Sequence, residues 1–264
     1  MDCTVERIAQ IMNDIAPENQ AEKWDNVGLL LGWRNAKVRR LMTSVDITRN
    51  VINEAIDKGV DMIISHHPLI FKPIYSLESD STIAQLIYPL IENNIAVYSA
   101  HTNLDKAVGG TDDCLAEALE LQDVRRIDDT LDLDFGRIGV LASPMNLTEF
   151  AKRVCKQLKA QRIDIVGDKK RHVRKVAVSG GAGASLMKKA LDAGADVFIT
   201  GEIKHHEAIE AELLGISVLA AGHFYTELPV MIKLIDRLQM TLDGLQYNIE
   251  VIASKSQSSP YISL

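Results

Sequence analysis

The amino-acid sequence predicts an α/β protein of two related lobes, and three observations carry that reading. Apolar runs too brief for helices, such as Met62, Ile63 and Ile64, alternate with stretches of helical periodicity, the pattern of parallel strands buried on both faces. These runs stop abruptly at histidine: His66 and His67 after the strand that starts at Asp61, His101 after Ile95 to Ser99, His223 after the run from Ile216. Finally, AIDKGVDMIIS (55–65) aligns without gaps on ALDAGADVFIT (190–200), each reading helix end, glycine, aspartate and apolar strand, as in a duplicated unit.

Taken in order, Val5, Ile8, Ile11, Met12 and Ile15 recur at helical spacing behind Thr4, which caps an amphipathic helix. Polar residues around Trp24, Asp25 and Asn26 then give way to an apolar strand ending near Gly32. Trp24 reads either as a partly buried anchor or as part of a loop on the rim of a crevice. A strand over 38–45 leads to Thr48, the cap of a helix carrying Val51, Ile52, Ala55 and Ile56, and that helix leads into the strand before His66. Strand, helix, strand implies parallel pairing with a right-handed crossover. Pro68 holds His67 extended, and Pro73 with 76–81 forms an exposed loop. A helix over 83–91 and a strand over 95–99 follow, and Thr111, Asp112 and Asp113 open a helix to about Leu121.

The acidic stretch 123–134 breaks the pattern and marks the expected boundary, dividing the chain into lobes 1–125 and 126–264. Beyond it the reading is a strand over 136–142, a helix capped by Asn146 and running through Leu158, and solvated charge in KKRHVRK (169–175) that includes His172. A strand over 176–179 enters GGAGAS (180–185), which suits a phosphate cradle or tight packing of strand on helix and matches neither GxxxxGK nor GxGxxG. The repeated strand ends at Thr200, with Glu202, His205 and His206 as auxiliary candidates. A helix from Glu227 to about Leu238, a strand over 245–252 and a serine-rich tail from Ser254 complete the chain, the tail loosely ordered unless it packs on a neighbour.

Ligands of open α/β sheets bind at the carboxyl ends of the strands. Strand ends of both lobes are therefore expected to face one crevice, with His66, His67 and Asp105 from the first lobe and His223 and Glu227 from the second. Two strands thus end in His-x-x-x-carboxylate. Three imidazoles and two carboxylates exceed the three protein ligands usual for a catalytic zinc, so two divalent ions are expected. A thiolate-free set suits zinc, iron, manganese, cobalt or nickel. His101 is not needed to complete it and is a candidate general acid or base, or a structural histidine.

Composition narrows the class. With 47% hydrophobic residues in 264, a real core is available; the net charge of −7 and pI near 5.5 speak against a nucleic-acid surface. Three cysteines without CxxC indicate neither a disulfide framework nor a thiolate metal site. The start lacks the pattern of a signal peptide and no apolar run approaches the length of about 20 residues that spans a bilayer, so the expectation is a soluble cytoplasmic protein.

WDNVGL (24–29), SHHP (65–68), AHTNLD (100–105), SGGAG (179–183), ADVFITGE (195–202) and GHFYTE (222–227) together give the whole chain a family resemblance. It resembles the GTP cyclohydrolase I type 2-like proteins, also described as NGG-interacting-factor-like dinuclear metal proteins. The resemblance implies His66, His67, Asp105, His223 and Glu227 as ligands, with Glu227 bridging two ions. It also implies two α/β lobes, a toroidal homohexamer with metal sites facing an internal cavity, and a nucleotide ligand. The 121–176 interval is too short for the domain that some members insert there. The activity implied is metal-assisted hydrolysis that opens the imidazole ring of a guanine nucleotide at C8. The alternatives are phosphoester hydrolysis, with Lys72 or Lys204 holding phosphate, and a metal-binding or regulatory scaffold without turnover.

Overall fold

The computed structural model describes residues 2–128 and 135–262. They form two compact units, one of residues 1–107 with 231–257 and the other of 108–230 with 258–264. The first contains α1 (Val5–Ile15), β1 (Gly28–Leu31), β2 (Arg40–Ser44), α2 (Arg49–Asp57), β3 (Met62–Ser65), α3 (Ala84–Glu92), β4 (Ala96–Ser99) and α4 (Thr102–Lys106). The second contains α5 (Thr111–Ala118), β5 (Gln122–Arg126), β6 (Arg137–Asn146), α6 (Leu147–Leu158), β7 (Asp164–Val166), β8 (His172–Ser179), α7 (Met187–Asp192), β9 (Val197–Thr200), α8 (His205–Leu214) and β10 (Ser217–Ala220). Helix α9 (His223–Gly244) starts in the second unit, and its residues from Met231 belong to the first, which then receives β11 (Glu250–Ala253).

The first unit is organised by a sheet of order β1-β4-β3-β2-β11, in which β1 is antiparallel to β4 and the other pairs are parallel. Its register decides where chemistry can occur. Ser44, Ser65 and Ser99 lie side by side, so β2, β3 and β4 end flush and the residues after them emerge together. Asp61 holds the start of β3: its carboxylate accepts from the Arg39 and Arg40 amides at 2.7 and 3.0 Å.

The second unit has a sheet of order β5-β6-β8-β9-β10-β7, with β8, β9 and β10 parallel. Here Ser179, Thr200 and Ala220 are level. Asp196 repeats the role of Asp61, accepting from the Arg174 and Lys175 amides at 2.9 and 2.8 Å. Both faces of these strands are covered. Val176, Val178, Val197, Ile199 and Leu219 pack with Phe150 and Val154, while Ala177, Phe198 and Val218 pack with Met187 and Ala211 on the other side. That explains why the strands read as continuous apolar runs rather than alternating ones.

Side chains cap three helices as anticipated: Thr4 accepts from Arg7 N, Thr48 from Val51 N, and Asn146 from Glu149 N. Several elements differ from the expectation. The stretch expected as an acidic boundary lies inside the second unit, where 122–126 pairs with β6; residues 129–134 fall outside the described residues. Strand β8 begins at His172, because Val173 and Val176 turn inward while His172 and Arg174 face out. Helix α5 stops at Ala118, and α9 runs on past Leu238 because Leu234, Leu238 and Leu242 continue its buried stripe. Strand β11 is accordingly shorter than 245–252.

The serine-rich tail is anchored at its start. Glu54 accepts from Ser254 Oγ at 2.6 Å, from the Lys255 and Ser256 amides at 2.9 Å each, and from Lys58 Nζ at 2.6 Å. Burial raises its pKa, but these hydrogen bonds outweigh burial and bring it to about 2. A carboxyl depressed in the folded state contributes stability above its unfolded pKa of about 4.3, and the contribution is lost as pH falls toward 2. Glu54→Ala is expected to lower hydrogen-exchange protection of the Lys255 and Ser256 amides by about tenfold or more at pH 6. The difference from wild type should vanish toward pH 2; equal protection at pH 6 would show that the clamp contributes nothing.

Candidate metal centre

The first unit gathers three histidines, and the flush strand ends explain how. His66 N and His67 N donate to Ser44 O and Val45 O, which carries the β3 backbone alongside β2 for two residues beyond the strand. Ser65 Oγ binds His67 O and pairs with Ser99 Oγ, both at 2.8 Å, fixing the turn from beneath. His101 follows β4 and stands at the N-cap position of α4; Asp105 lies one turn further on. One ring nitrogen each from His66, His67 and His101 falls within 4.8 Å of the others. Their ring centroids are 5.2 to 5.5 Å apart.

Each of the three imidazoles is held at Nδ1 by an oxygen acceptor. His66 Nδ1 lies 2.9 Å from Ala100 O, His67 Nδ1 lies 2.7 Å from Asp46 Oδ1, and His101 Nδ1 lies 2.9 Å from Asp25 Oδ1. An acceptor at Nδ1 selects the tautomer with hydrogen there, which makes Nε2 the electron-pair donor in all three rings. This is the usual support of a metal-bound histidine, an oxygen that orients the ring and raises its basicity. Asp105 Oδ1 lies 3.5 Å from His66 Nε2.

Asp25 is the most constrained of the supporting groups. Its side chain is fully buried, and it accepts from the Thr102 amide and hydroxyl as well as from His101. Burial raises its pKa, but the hydrogen bonds from His101 and Thr102 outweigh burial and hold it at about 2, so it is a carboxylate at neutral pH.

In the second unit His223 and Glu227 occupy successive turns of α9, with His223 Nε2 3.1 Å from Glu227 Oε1 and Glu227 almost fully buried. Glu202 Oε1 is 3.6 Å from His223 Nδ1, on the side where an orienting carboxylate would stand. The glycine-rich turn closes on this pair. Gly181 has φ +59°, and a Cβ there would lie 2.3 Å from Glu227 Oε1 and 3.2 Å from His223 Nε2. Its carbonyl accepts from the Gly201 and Glu202 amides, and its amide donates to Thr226 Oγ1. The Gly180 and Gly183 amides donate to Asp112 Oδ1 and Thr200 Oγ1. With these three amides committed to protein acceptors, the turn packs against Glu227.

His205 and His206 are exposed at the start of α8, and His172 is exposed on β8; none joins a metal-competent group among the described residues. A set of imidazoles and carboxylates with no thiolate fits a divalent cation of intermediate hardness. The convergence of three ring nitrogens in the first unit is chemistry suited to a cation, which relieves the repulsion of facing lone pairs.

The family model described as Duf34/NIF3 (NGG1p interacting factor 3) matches residues 3–260. The chain belongs to the NIF3 family. It is 34% identical to a "GTP cyclohydrolase 1 type 2 homolog" of Clostridium acetobutylicum, with 99% of each chain covered. It is also 34% identical to one of Streptomyces coelicolor, with 93% of this chain and 89% of that one covered. Among solved structures it is similar to a Bacillus cereus protein related to NIF3, at TM-score 0.94 and 27% identity over 99% of both chains. It is similar as well to reduced HcgD from Methanocaldococcus jannaschii, at TM-score 0.81 and 30% identity over 97% of this chain and 99% of that one. The alignment to the Bacillus subtilis relative spans 367 positions against 264 residues here, so that NIF3 relative carries about a hundred residues this chain lacks.

Asp46 and Gly181 were not legible as parts of the site, and Asp25 was visible only as part of a loop. Gly181→Ala should disturb the site beyond the strain of a left-handed residue, because the new Cβ overlaps the Glu227 carboxylate. Gly215→Ala is the control: φ is +72° there, with nothing within 4 Å of an added Cβ. The control should lose about 1 kcal/mol in thermal or urea unfolding, and Gly181→Ala at least twice that. Equal losses would show that the close approach to Glu227 carries no energy.

Proposed function

We propose that the chain is a dinuclear metal-dependent hydrolase acting on a purine nucleotide, as the name of its relatives suggests. His66, His67 and Asp105 from the first unit and His223 and Glu227 from the second would together hold two divalent ions. The observation that carries this reading is the support at Nδ1 of His66 and His67, which turns their Nε2 atoms toward a shared cation. The gap-free match of the strands ending at Ser65 and Thr200, with Asp61 and Asp196 bracing each in the same way, supports descent of both units from one ancestor.

Divalent ions, when bound, lower the pKa of water and stabilise charge on the group under attack. The chain's own residues do the rest. Asp46 and Ala100 O hold His67 and His66 in their ligating orientation, and Gly181 packs Glu227 in place. His101, not required to complete the five ligands, is the proton carrier: the buried Asp25 carboxylate at Nδ1 orients the ring so that Nε2 faces the site, placed to take a proton and return it to a leaving nitrogen. The protein is further proposed to be cytoplasmic and to assemble as a toroidal homohexamer, which light scattering would report as six copies of a 29.2 kDa chain. No helix among the described residues is long and apolar enough to cross a membrane.

Elemental analysis after purification without added metal, combined with an assay of GTP ring opening, tests the proposal. Wild type should hold two ions per chain; His67→Ala should lose metal, and Asp46→Asn should bind it about 10- to 100-fold more weakly. His101→Gln should keep the metal and lose turnover by about 100-fold or more. Loss of metal in His101→Gln would make His101 a ligand, and a metal-loaded wild type inert toward nucleotides would favour the scaffold.

A further inference from the structure

The loop that supplies Asp25 also presents an exposed aromatic ring beside the histidine cluster. Trp24 is 59% exposed, although the next side chain, Asp25, is fully buried. Its indole meets His101 edge-on at a centroid distance of 6.1 Å and Phe71 at 6.0 Å, and Phe71 is itself 47% exposed. Neither ring is on a slack segment. Asp25 ties the loop to His101 and Thr102, and Asn26 Nδ2 donates to Ile70 O at 2.6 Å, joining the loop of Trp24 to the loop of Phe71. Three consecutive residues thus divide the work: Asn26 joins two loops, Asp25 supports His101, and Trp24 is left facing water beside the histidine cluster.

We propose that Trp24 and Phe71 form a recognition wall for a planar heteroaromatic ring brought to the histidine cluster. The inference rests on the reading of that cluster as the reaction centre and names what the centre is shaped to receive. An aliphatic ligand would gain only burial from such a wall, whereas a heterocycle gains stacking or edge-to-face contact on rings already fixed in place, so little ordering is needed on binding. Lys23 precedes Trp24 and Lys72 follows Phe71 in the chain, and both are exposed. What the wall adds to the proposed substrate is the pair of residues, Trp24 and Phe71, that would select its heteroaromatic base.

Trp24 can be read alone, because the chain has two tryptophans and the other, Trp33, is 69% exposed. Metal-free Trp33→Phe protein is titrated with GMP, then with ribose 5-phosphate, while Trp24 emission is followed. The expected result is saturable quenching by GMP and none by ribose 5-phosphate, with affinity for GMP weakened about tenfold by Phe71→Ala. Absence of saturable quenching by GMP, equal quenching by ribose 5-phosphate, or an affinity unchanged in Phe71→Ala would overturn the proposal. So would a Trp24→Ala variant that changes the assembly mass yet binds GMP like wild type by calorimetry, since the rings would then be a contact between copies. Metal content, read separately, distinguishes the two ideas: quenching without metal binding would remove the dinuclear reading and leave the wall, and metal binding without quenching would do the reverse.

Discussion

The hydrogen bond at histidine Nδ1 is the constraint on which the candidate site depends. An imidazole can turn either nitrogen to a cation, and a free ring at a strand end gains nothing by choosing one. Here Ala100 O, Asp46 and Asp25 make the choice for His66, His67 and His101. Two of the three acceptors are carboxylates, which also increase the electron density at the opposite nitrogen. Without them the same histidines would still lie at the ends of strands, but with no common direction.

That constraint is inherited from the sheet. Because Ser44, Ser65 and Ser99 are level across β2, β3 and β4, the residues just beyond them arrive at the same height, and Asp46, His67 and His101 come within reach of one another. A slip of one residue in either parallel pair would reverse which side chains face the cluster. Asp61 and Asp196, each clamping two backbone amides of the preceding strand, hold the register where such a slip would begin. In the second unit the same level ending places Gly181 close to Glu227, where an added Cβ would lie 2.3 Å from Oε1.

Much of this was legible in the residues, for physical reasons. Short apolar runs, helix caps at Thr4, Thr48 and Asn146, and histidines at the ends of runs are local signals, and the structure places each where the pattern indicated. The supporting groups were not. Asp46 stands 21 residues before His67, and Asp25 stands 76 before His101, so only the strand order brings them together. The glycine-rich turn read equally well as a phosphate cradle because sequence shows that amides are available, not whether Asp112, Thr226 and Thr200 already take them. Strand β8 was read short because charged residues on one face of an edge-ward stretch hid the inward Val173.

The carboxylates of Asp46 and Asp25 orient two imidazoles of the first unit, and the rings of Trp24 and Phe71 stand beside His101. The most direct measurement of the central claim is the long-range nitrogen-15 correlation spectrum of the histidine rings in metal-free protein above pH 7.5. The account predicts that His66, His67 and His101 carry hydrogen at Nδ1 and that added zinc shifts chiefly the Nε2 resonances of His66 and His67. Hydrogen at Nε2 in either of those two rings, or a zinc-induced shift at their Nδ1 atoms instead, would contradict it.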